Sequence, residues 1–327
     1  MRVRVPYDST KFDLEPPSAR LAKSMGAIII ASPWTPPAWM KTGNMIAGGS
    51  LDAGAYAPYA AHLKSFADYM SANGASLTAV SLQNEPDYSA DYESCTWSTT
   101  QMIAFLKNNA AAIGIRIIVP ESMNFNHALS DPILNDAAGS ANVSIIGGHI
   151  YGGNPTSYPL ALSKGKEVWM TEHLVLDTLF GGNLGTAIEI NDCMTAGMNA
   201  YLWWYIRRFY GPIDDSSNVT KRGYFMSQYA RFVRPGFSRV ATTANPQTNV
   251  YVTAYRNGDK LVAVVINNGS ASINQVFAIS NGTAAGFSPY VTSQSKNCAR
   301  GSDVAVSNSR FTGTLEPYSV TTFVSRP

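Results

Sequence analysis

Two glutamates stand out for the chemistry they would do together. Glu85 lies in Gln83-Asn84-Glu85-Pro86, just after the apolar run Leu77 to Leu82. Glu172 lies in Thr171-Glu172-His173, just after the run Lys166 to Met170. Cleaving a glycosidic bond takes two carboxyl groups: one protonates the departing oxygen, and the other attacks the sugar or activates water. Carboxyls at the ends of different strands can face each other across a sugar ring. Each has an ordinary alternative, Glu85 as a helix-start carboxylate and Glu172 as a partner of a helix dipole. Asn84 before Glu85 and Pro86 after it weigh against the first. Glu121, in Pro120-Glu121-Ser122, ends another apolar run and suits a supporting role.

Aromatic residues gather at the same kind of position. Ser32-Pro33-Trp34, His149-Ile150-Tyr151 and Trp203-Trp204-Tyr205 each close or follow an apolar run. A pyranose presents an apolar C–H face on which Trp34, Tyr151 or Trp204 would stack. Core packing is the competing use of these rings, and Trp203 suits it best. His149 serves equally well as a hydrogen-bonded structural histidine or as a site residue.

These residues need elements to position them. Short apolar runs recur from Arg2 to Val5, Ala27 to Ala31, Leu77 to Leu82, Arg116 to Val119, Val143 to Ile150, Lys166 to Met170 and Ala200 to Ile206. Runs of this length read as strands buried on both faces. Helical patterns lie between them. Tyr59, Leu63, Phe66 and Met70 share one helical face ending at Gly74, and Ser98 with Gln101 forms a capping box. Gly114 stands where a helix would stop. Strand–helix alternation predicts a parallel barrel or a doubly wound sheet, and a barrel places its site at the strands' C-terminal ends.

The pattern changes after about residue 235. Asn249 to Tyr255, Lys260 to Ile266, Gln275 to Ile279, Ser288 to Thr292 and Ser319 to Val324 alternate as strands, and Asn257-Gly258-Asp259 is a hairpin turn. The expected organisation is a barrel over residues 1–234 and a small all-β sandwich over 235–327, with Arg234-Pro235-Gly236 as the boundary.

Composition narrows the partners. Charged residues are only 14% of the 327, and the formal net charge is +2. With no basic run, neither nucleic acid nor an anionic membrane is expected as a partner. No apolar stretch is long enough to span a bilayer. Three cysteines, Cys95, Cys193 and Cys298, leave open one disulfide plus a free thiol or three buried thiols, and their spacing fits no zinc motif. No metal or cofactor is expected. A nucleotide-binding barrel is disfavoured, because no glycine-rich loop joins a strand to a helix.

Several stretches together resemble glycoside hydrolase family 30, and within it the bacterial xylanases. They are Ala31-Ser32-Pro33-Trp34-Thr35-Pro36-Pro37, Ser81-Leu82-Gln83-Asn84-Glu85-Pro86-Asp87-Tyr88 and Val168-Trp169-Met170-Thr171-Glu172. To these add Tyr201-Leu202-Trp203-Trp204-Tyr205-Ile206-Arg207-Arg208, Lys221-Arg222-Gly223-Tyr224 and Ser319-Val320-Thr321-Thr322-Phe323-Val324. The likeness runs over nearly the whole chain.

The resemblance implies an eight-stranded barrel with an attached β-sandwich, and a retaining endo-β-1,4-xylanase acting by double displacement. Glu85 would be acid/base and Glu172 nucleophile. Asn84 would bind the sugar 2-hydroxyl, and Arg2 would hold the nucleophile ionised. Trp34, Tyr151 and Trp204 would line the subsite beside the scissile bond. Tyr205 and Arg208 would belong to a clamp on a glucuronate branch. The substrate would be xylan or its oligosaccharides. An extracellular location follows from that polymer alone, since Met1-Arg2-Val3-Arg4-Val5 shows no signal peptide.

Two departures bear on these expectations. Arg2 to Val5 resembles the family's second barrel strand, so the first strand and helix are expected to be missing. An exposed strand edge presents unpaired backbone groups; low stability, or a homodimer covering the edge, is then expected. The family's branch clamp also uses a tyrosine and a serine after the nucleophile. Here Leu174 replaces the tyrosine and the serine is not evident, so dependence on the branch is expected to weaken. The alternatives are another β-glycosidase of the family (glucosylceramidase-like or a β-1,6-glucanase), or a xylan-binding protein whose incomplete barrel misplaces the glutamates.

Overall fold

The computed structural model describes residues 1–326. Each of the first seven apolar runs forms a strand: β1 (Arg2–Val5), β2 (Ile30–Pro33), β3 (Ala79–Ser81), β4 (Arg116–Ser122), β5 (Ile145–His149), β6 (Glu167–His173) and β7 (Ala200–Trp203). They lie in chain order in one 7-stranded sheet, parallel from β1 through β6. Between them run α1 (Pro16–Ser24), α2 (Tyr56–Ala72), α3 (Thr99–Asn108), α4 (His127–Asn135), α5 (Ala137–Ala141), α6 (Pro159–Ser163) and α7 (Phe180–Thr195), and α8 (Lys221–Ala230) follows β7. This is a TIM-type sheet that curls without closing: β1 and β7 are its two ends.

By contact density the chain forms two compact units. The first holds Met1–His173 with Met198–Leu202; the second holds Leu174–Gly197 and the chain from Trp203 on.

In the first unit, residue types explain the elements. The predicted face of α2 is the buried one, with Tyr59, Leu63, Phe66 and Met70 all inaccessible to solvent. Gly74 ends that segment at φ +75°, a conformation costly for other residues. The Ser98–Gln101 capping box forms at the start of α3. The Tyr59 hydroxyl donates to the Leu82 carbonyl at 2.8 Å, fixing α2 to the segment that carries Gln83, Asn84 and Glu85.

The concave face of the sheet has a definable layer. Ile30, Ala79, Ile118, Ile145 and Trp169, one from each of β2 to β6, form a buried cluster with Ala200 and Leu202 of β7 against it. Arg2 pairs in register with Ile30 and so shares this face. Below the layer, Arg116 donates to Glu167 at 2.5 Å, and the Trp169 indole donates to the same carboxylate at 2.8 Å. The layer is a packed floor, and the polar rim stands on it.

The second unit carries α7, α8 and nine strands. They are β8 (Ser238–Val240), β9 (Val250–Asn257), β10 (Lys260–Asn267), β11 (Ile273–Ala278), β12 (Gly286–Thr292), β13 (Ala299–Arg300), β14 (Val304–Ala305), β15 (Arg310–Leu315) and β16 (Ser319–Arg326). One sheet runs β13-β12-β16-β10-β9-β8 with β14 on β12, and β11 pairs with β15. Val250, Val252, Val265, Phe287, Phe311, Leu315 and Phe323 are the buried core between the two layers. Gly258 at φ +56° turns the β9–β10 hairpin, in which Asn257 pairs with Lys260. The Lys221 ammonium donates to the Ser293 carbonyl at 2.8 Å, and the Thr322 hydroxyl donates to the Gln228 carbonyl at 2.8 Å. These bonds fasten α8 onto β16 and onto the residue that follows β12.

Cys95, Cys193 and Cys298 are free thiols, which settles the cysteine alternatives in favour of no disulfide.

Gly147 on β5 has no room for a side chain. A Cβ there would lie 2.6 Å from Ile118 Cγ2, 3.1 Å from Thr171 Cγ2 and 3.2 Å from Glu121 Cγ. Gly147→Ala is therefore expected to destabilise the first unit by about 1–3 kcal/mol through overpacking. Urea unfolding followed by tryptophan fluorescence measures it; an unchanged midpoint would contradict the packing described.

Candidate active site

The rim is organised by one guanidinium. Arg2 projects from β1 and donates through Nη1 to Glu172 Oε2 on β6 and through Nη2, at 2.5 Å, to Asn84 Oδ1. Its Nη2 also lies 3.7 Å from Glu121 on β4. Glu121, fully buried, accepts a hydrogen bond from Ser32 at the end of β2. Arg2 therefore reaches the end of β6 from the sheet's first strand. Only a curled sheet brings those ends together.

Glu85 follows β3 and stands beside His149 of β5, whose Nδ1 shares a hydrogen bond with Glu85 Oε1 at 2.9 Å and lies 4.0 Å from Glu172 Oε1. Carboxylate oxygens of Glu85 and Glu172 approach within 4.8 Å of each other. Retaining glycosidases hold their carboxyls roughly 5–5.5 Å apart, and inverting ones roughly 6.5–9.5 Å. The spacing fits the closer class. Both side chains are buried to more than nine-tenths, at 9% and 8% exposure. The backbone at Glu85 (φ 45°) and at Glu121 (φ 56°) is left-handed. Such strain persists only where the surroundings over-determine it. Here the Glu85 amide donates to the Glu121 carbonyl at 3.0 Å, and the Asn84 amide to the Pro33 carbonyl at 2.8 Å.

Tyr151 completes the surroundings of Glu172. Its hydroxyl donates to Glu172 Oε1 at 2.8 Å, and its ring lies 5.2 Å from that of His173. Burial raises the Glu172 carboxyl. The charge on Arg2, the neighbouring His149 and the hydrogen bonds from Tyr151 and Arg2 lower it and prevail, so Glu172 titrates below the ordinary glutamate range. The Tyr151 phenol moves far upward, first through burial and then through the charge it faces on Glu172.

Trp34, after β2, packs against Tyr92 at 5.6 Å between ring centroids, with the Arg4 guanidinium 5.6 Å from its centroid. Gln83 holds the Trp34 backbone, its amide donating to the Trp34 carbonyl at 2.6 Å. Arg4 itself pairs with Glu93 at 2.8 Å. Trp204, Tyr205 and Arg208 belong to the second unit. There the Trp204 and Tyr205 rings lie 3.9 Å apart and the Arg208 guanidinium 5.2 Å over Tyr205. Trp203 takes the packing role: Arg222 covers its ring at 4.5 Å.

Sequence reasoning left out Tyr92, Glu93 and Arg4, and it left Ser32 and Gln83 without roles. Tyr92 and Glu93 lie in a loop with no periodicity to place them. Ser32 and Gln83 at least stood at strand ends, which was their signal.

Among the described residues, Glu85, His149 and Glu172 form the one group with metal-ligand atom types, spread over as much as 4.8 Å. Ligands on a tetrahedral ion sit roughly 3.3 Å apart. Arg2 already neutralises Glu172, and His149 already bonds Glu85.

Residues 18–167 match the glycosyl hydrolase family 30 TIM-barrel domain, and residues 236–323 match the family's beta sandwich domain. The glucuronoxylanase XynC of Bacillus subtilis (strain 168) is 40% identical over 339 residues, covering 99% of this chain and 80% of that protein. The glycoside hydrolase family 30 subfamily 8 xylanase Xyn30A from Clostridium acetobutylicum superposes with a TM-score of 0.95 at 44% identity, over 100% of this chain and 88% of that one. A GH30 endoxylanase from Clostridium papyrosolvens C71 gives 0.93 at 40%, over 100% and 89%. These matches over nearly the whole chain make it a glycoside hydrolase. The chain belongs to glycosyl hydrolase family 30.

Tyr151→Phe removes a donor that favours the ionised form of Glu172, so the Glu172 pKa is expected to rise. Carbon-13 NMR titration of the glutamate carboxyls reads this directly. An unmoved Glu172 would contradict a part for Tyr151 in its ionisation.

Proposed function

We propose that this chain is a retaining endo-β-1,4-xylanase in which Glu85 is the acid/base and Glu172 the nucleophile. The observation that carries the reading is the close approach of these two carboxyls, with Arg2 and Tyr151 holding Glu172 as an anion. Glu85 gives its proton to the glycosidic oxygen as the bond to the anomeric carbon breaks, while Glu172 Oε attacks that carbon from the other side. The leaving sugar departs, and a glycosyl ester on Glu172 remains. Glu85, now a carboxylate, takes a proton from water. The resulting oxygen nucleophile displaces Glu172, and the product keeps its β configuration.

Asn84, oriented by Arg2, binds the 2-hydroxyl. Trp34, Tyr151, Trp204 and Tyr205 bind the sugar chain through stacking and hydroxyl contacts, and His149 positions Glu85. In functional terms the catalytic part is residues 1–234 and the side domain 235–327. The near full-length relatives are xylanases, which does not favour a glucosylceramidase-like or β-1,6-glucanase activity. Convergence of the glutamates on one rim speaks against a binding protein with a displaced pair.

Arg208 offers a planar guanidinium suited to a carboxylate branch. Leu174, half-buried where the clamp would need a hydroxyl, offers none. The enzyme accordingly accepts unbranched xylan as well as glucuronoxylan. The polymer places it outside the cell, although among the described residues no helix is long and apolar enough to cross a membrane. The open edges at β1 and β7 favour a homodimer.

Three measurements check this. Glu172→Ala is expected to lose at least about 10⁴-fold in kcat while staying folded; wild-type turnover in that variant would end the assignment. Proton NMR of the first product from xylooligosaccharides should show the β anomer, and an α anomer would mean inversion. kcat/KM on glucuronoxylan and on linear xylan should agree within about tenfold, whereas a strict need for the branch would show that Leu174 is no loss.

A further inference from the structure

A depression of about 520 Å³ lies between the loops that follow β1 and β2, lined by Tyr7, Asp8, Trp39, Asn44 and His62 among others. It shares no lining residue with the Glu85–Glu172 cleft. His62 belongs to α2, and its Nε2 meets the Pro6 carbonyl at 3.1 Å. Ligand clefts ordinarily measure roughly 300–1,000 Å³, so the space suits a short stretch of sugar rings.

Trp39 is the feature the fold does not explain. It is 66% exposed, and its ring has no aromatic or hydrogen-bond partner among the described residues. Yet its mount is rigid. Pro36 and Pro37 precede it, Met40 is buried directly after it, and the Met40 carbonyl accepts from the Asp52 amide at 2.9 Å. Lys41, also buried, pins the turn from behind: its ammonium donates to Thr35 Oγ1 at 2.8 Å, to the Ile46 carbonyl at 2.9 Å and to the Ser94 carbonyl at 2.6 Å. An indole held out on a fixed turn is pre-organised to stack.

The neighbouring polar groups decide what stacks. Asp8 Oδ1 accepts from the Thr10 amide at 3.0 Å and the Thr10 hydroxyl at 2.7 Å, which holds the carboxylate in place. Beside it stand the Asn44 amide, the second His62 nitrogen and the Tyr7 phenol. A fixed carboxylate, an amide, an imidazole and a phenol around an aromatic face offer acceptors and donors to the hydroxyls of a pyranose. Trp39 also lies on the same loop as Trp34, so both belong to the β2–α2 connection at the catalytic rim.

We propose that this depression is a second sugar-binding site, in which Trp39 stacks on a xylosyl unit of the polymer outside the catalytic cleft. The identity of the sugar rests on the xylanase reading above; the existence of the site does not.

The test uses the full chain carrying Glu172→Gln, so that insoluble xylan is bound without being cut. Adding Trp39→Ala should weaken retention by insoluble xylan roughly tenfold, and Trp39→Phe should restore most of it. With Glu172 intact, Trp39→Ala should leave kcat/KM on a short xylooligosaccharide unchanged and lower the rate on insoluble xylan. Asn44→Ala should weaken retention in the same direction. Equal retention with and without Trp39 would overturn the proposal. So would an equal loss on short and polymeric substrates, because Trp39 would then belong to the cleft. If the unmodified chain releases no sugar from xylan, the xylanase reading fails instead; retention on xylan and on other insoluble β-glycans still decides whether Trp39 binds sugar.

Discussion

The contact between Arg2 and Glu172 is the interaction on which the rest depends. Both side chains are buried, at 7% and 8% exposure. A buried charge is costly unless it is paired and hydrogen-bonded, and removing one partner of such a pair typically costs about 3–5 kcal/mol. Arg2 meets this demand through Glu172 and Asn84 and by facing Glu121, itself bonded to Ser32. The same guanidinium that satisfies the interior keeps Glu172 ionised. Structural need and chemical readiness are one constraint here.

Strands β1 to β6 contribute to that constraint, β2 to β6 from their C-terminal ends and β1 from its first residue. Arg2 comes from β1, Ser32 from β2, Asn84 and Glu85 from the turn after β3, Glu121 from β4, His149 from β5 and Glu172 from β6. Sequence-distant residues meet because the sheet curls over the layer of Ile30, Ala79, Ile118, Ile145 and Trp169. Gly147 permits close approach of β4 and β6 to β5. Left-handed backbone at Glu85 and Glu121 completes the aim of the two carboxyl chains.

Much of this was legible in the residues alone, for identifiable reasons. Strands β2 to β6 are apolar runs covered on both faces, and each run carried its polar residues at one end. Glu85 and Glu172 could be found from that rule, and the likeness to family 30 pointed to Arg2. The second unit was less readable. β8, β13 and β14 have only two or three residues, too few to alternate. β15 alternates in the structure, but its central inward position is Gly313, which sits against the Phe323 ring and contributes no apolar side chain to the pattern. The loop residues Tyr92 and Glu93 contact Trp34 and Arg4 through tertiary packing alone, which no local spacing encodes. The exposure of Trp39 on a pinned turn likewise belongs to the fold and to no local spacing.

The central claim is that Glu172 forms a covalent bond to the sugar with Glu85 opposite. It is tested most directly by trapping that bond. Incubation with an activated 2-deoxy-2-fluoro-β-xyloside or xylobioside, followed by peptide mass spectrometry, should find the fluorosugar esterified to Glu172. A label on Glu85 or Glu121, or hydrolysis of xylan by an enzyme that never acquires a label, would contradict it.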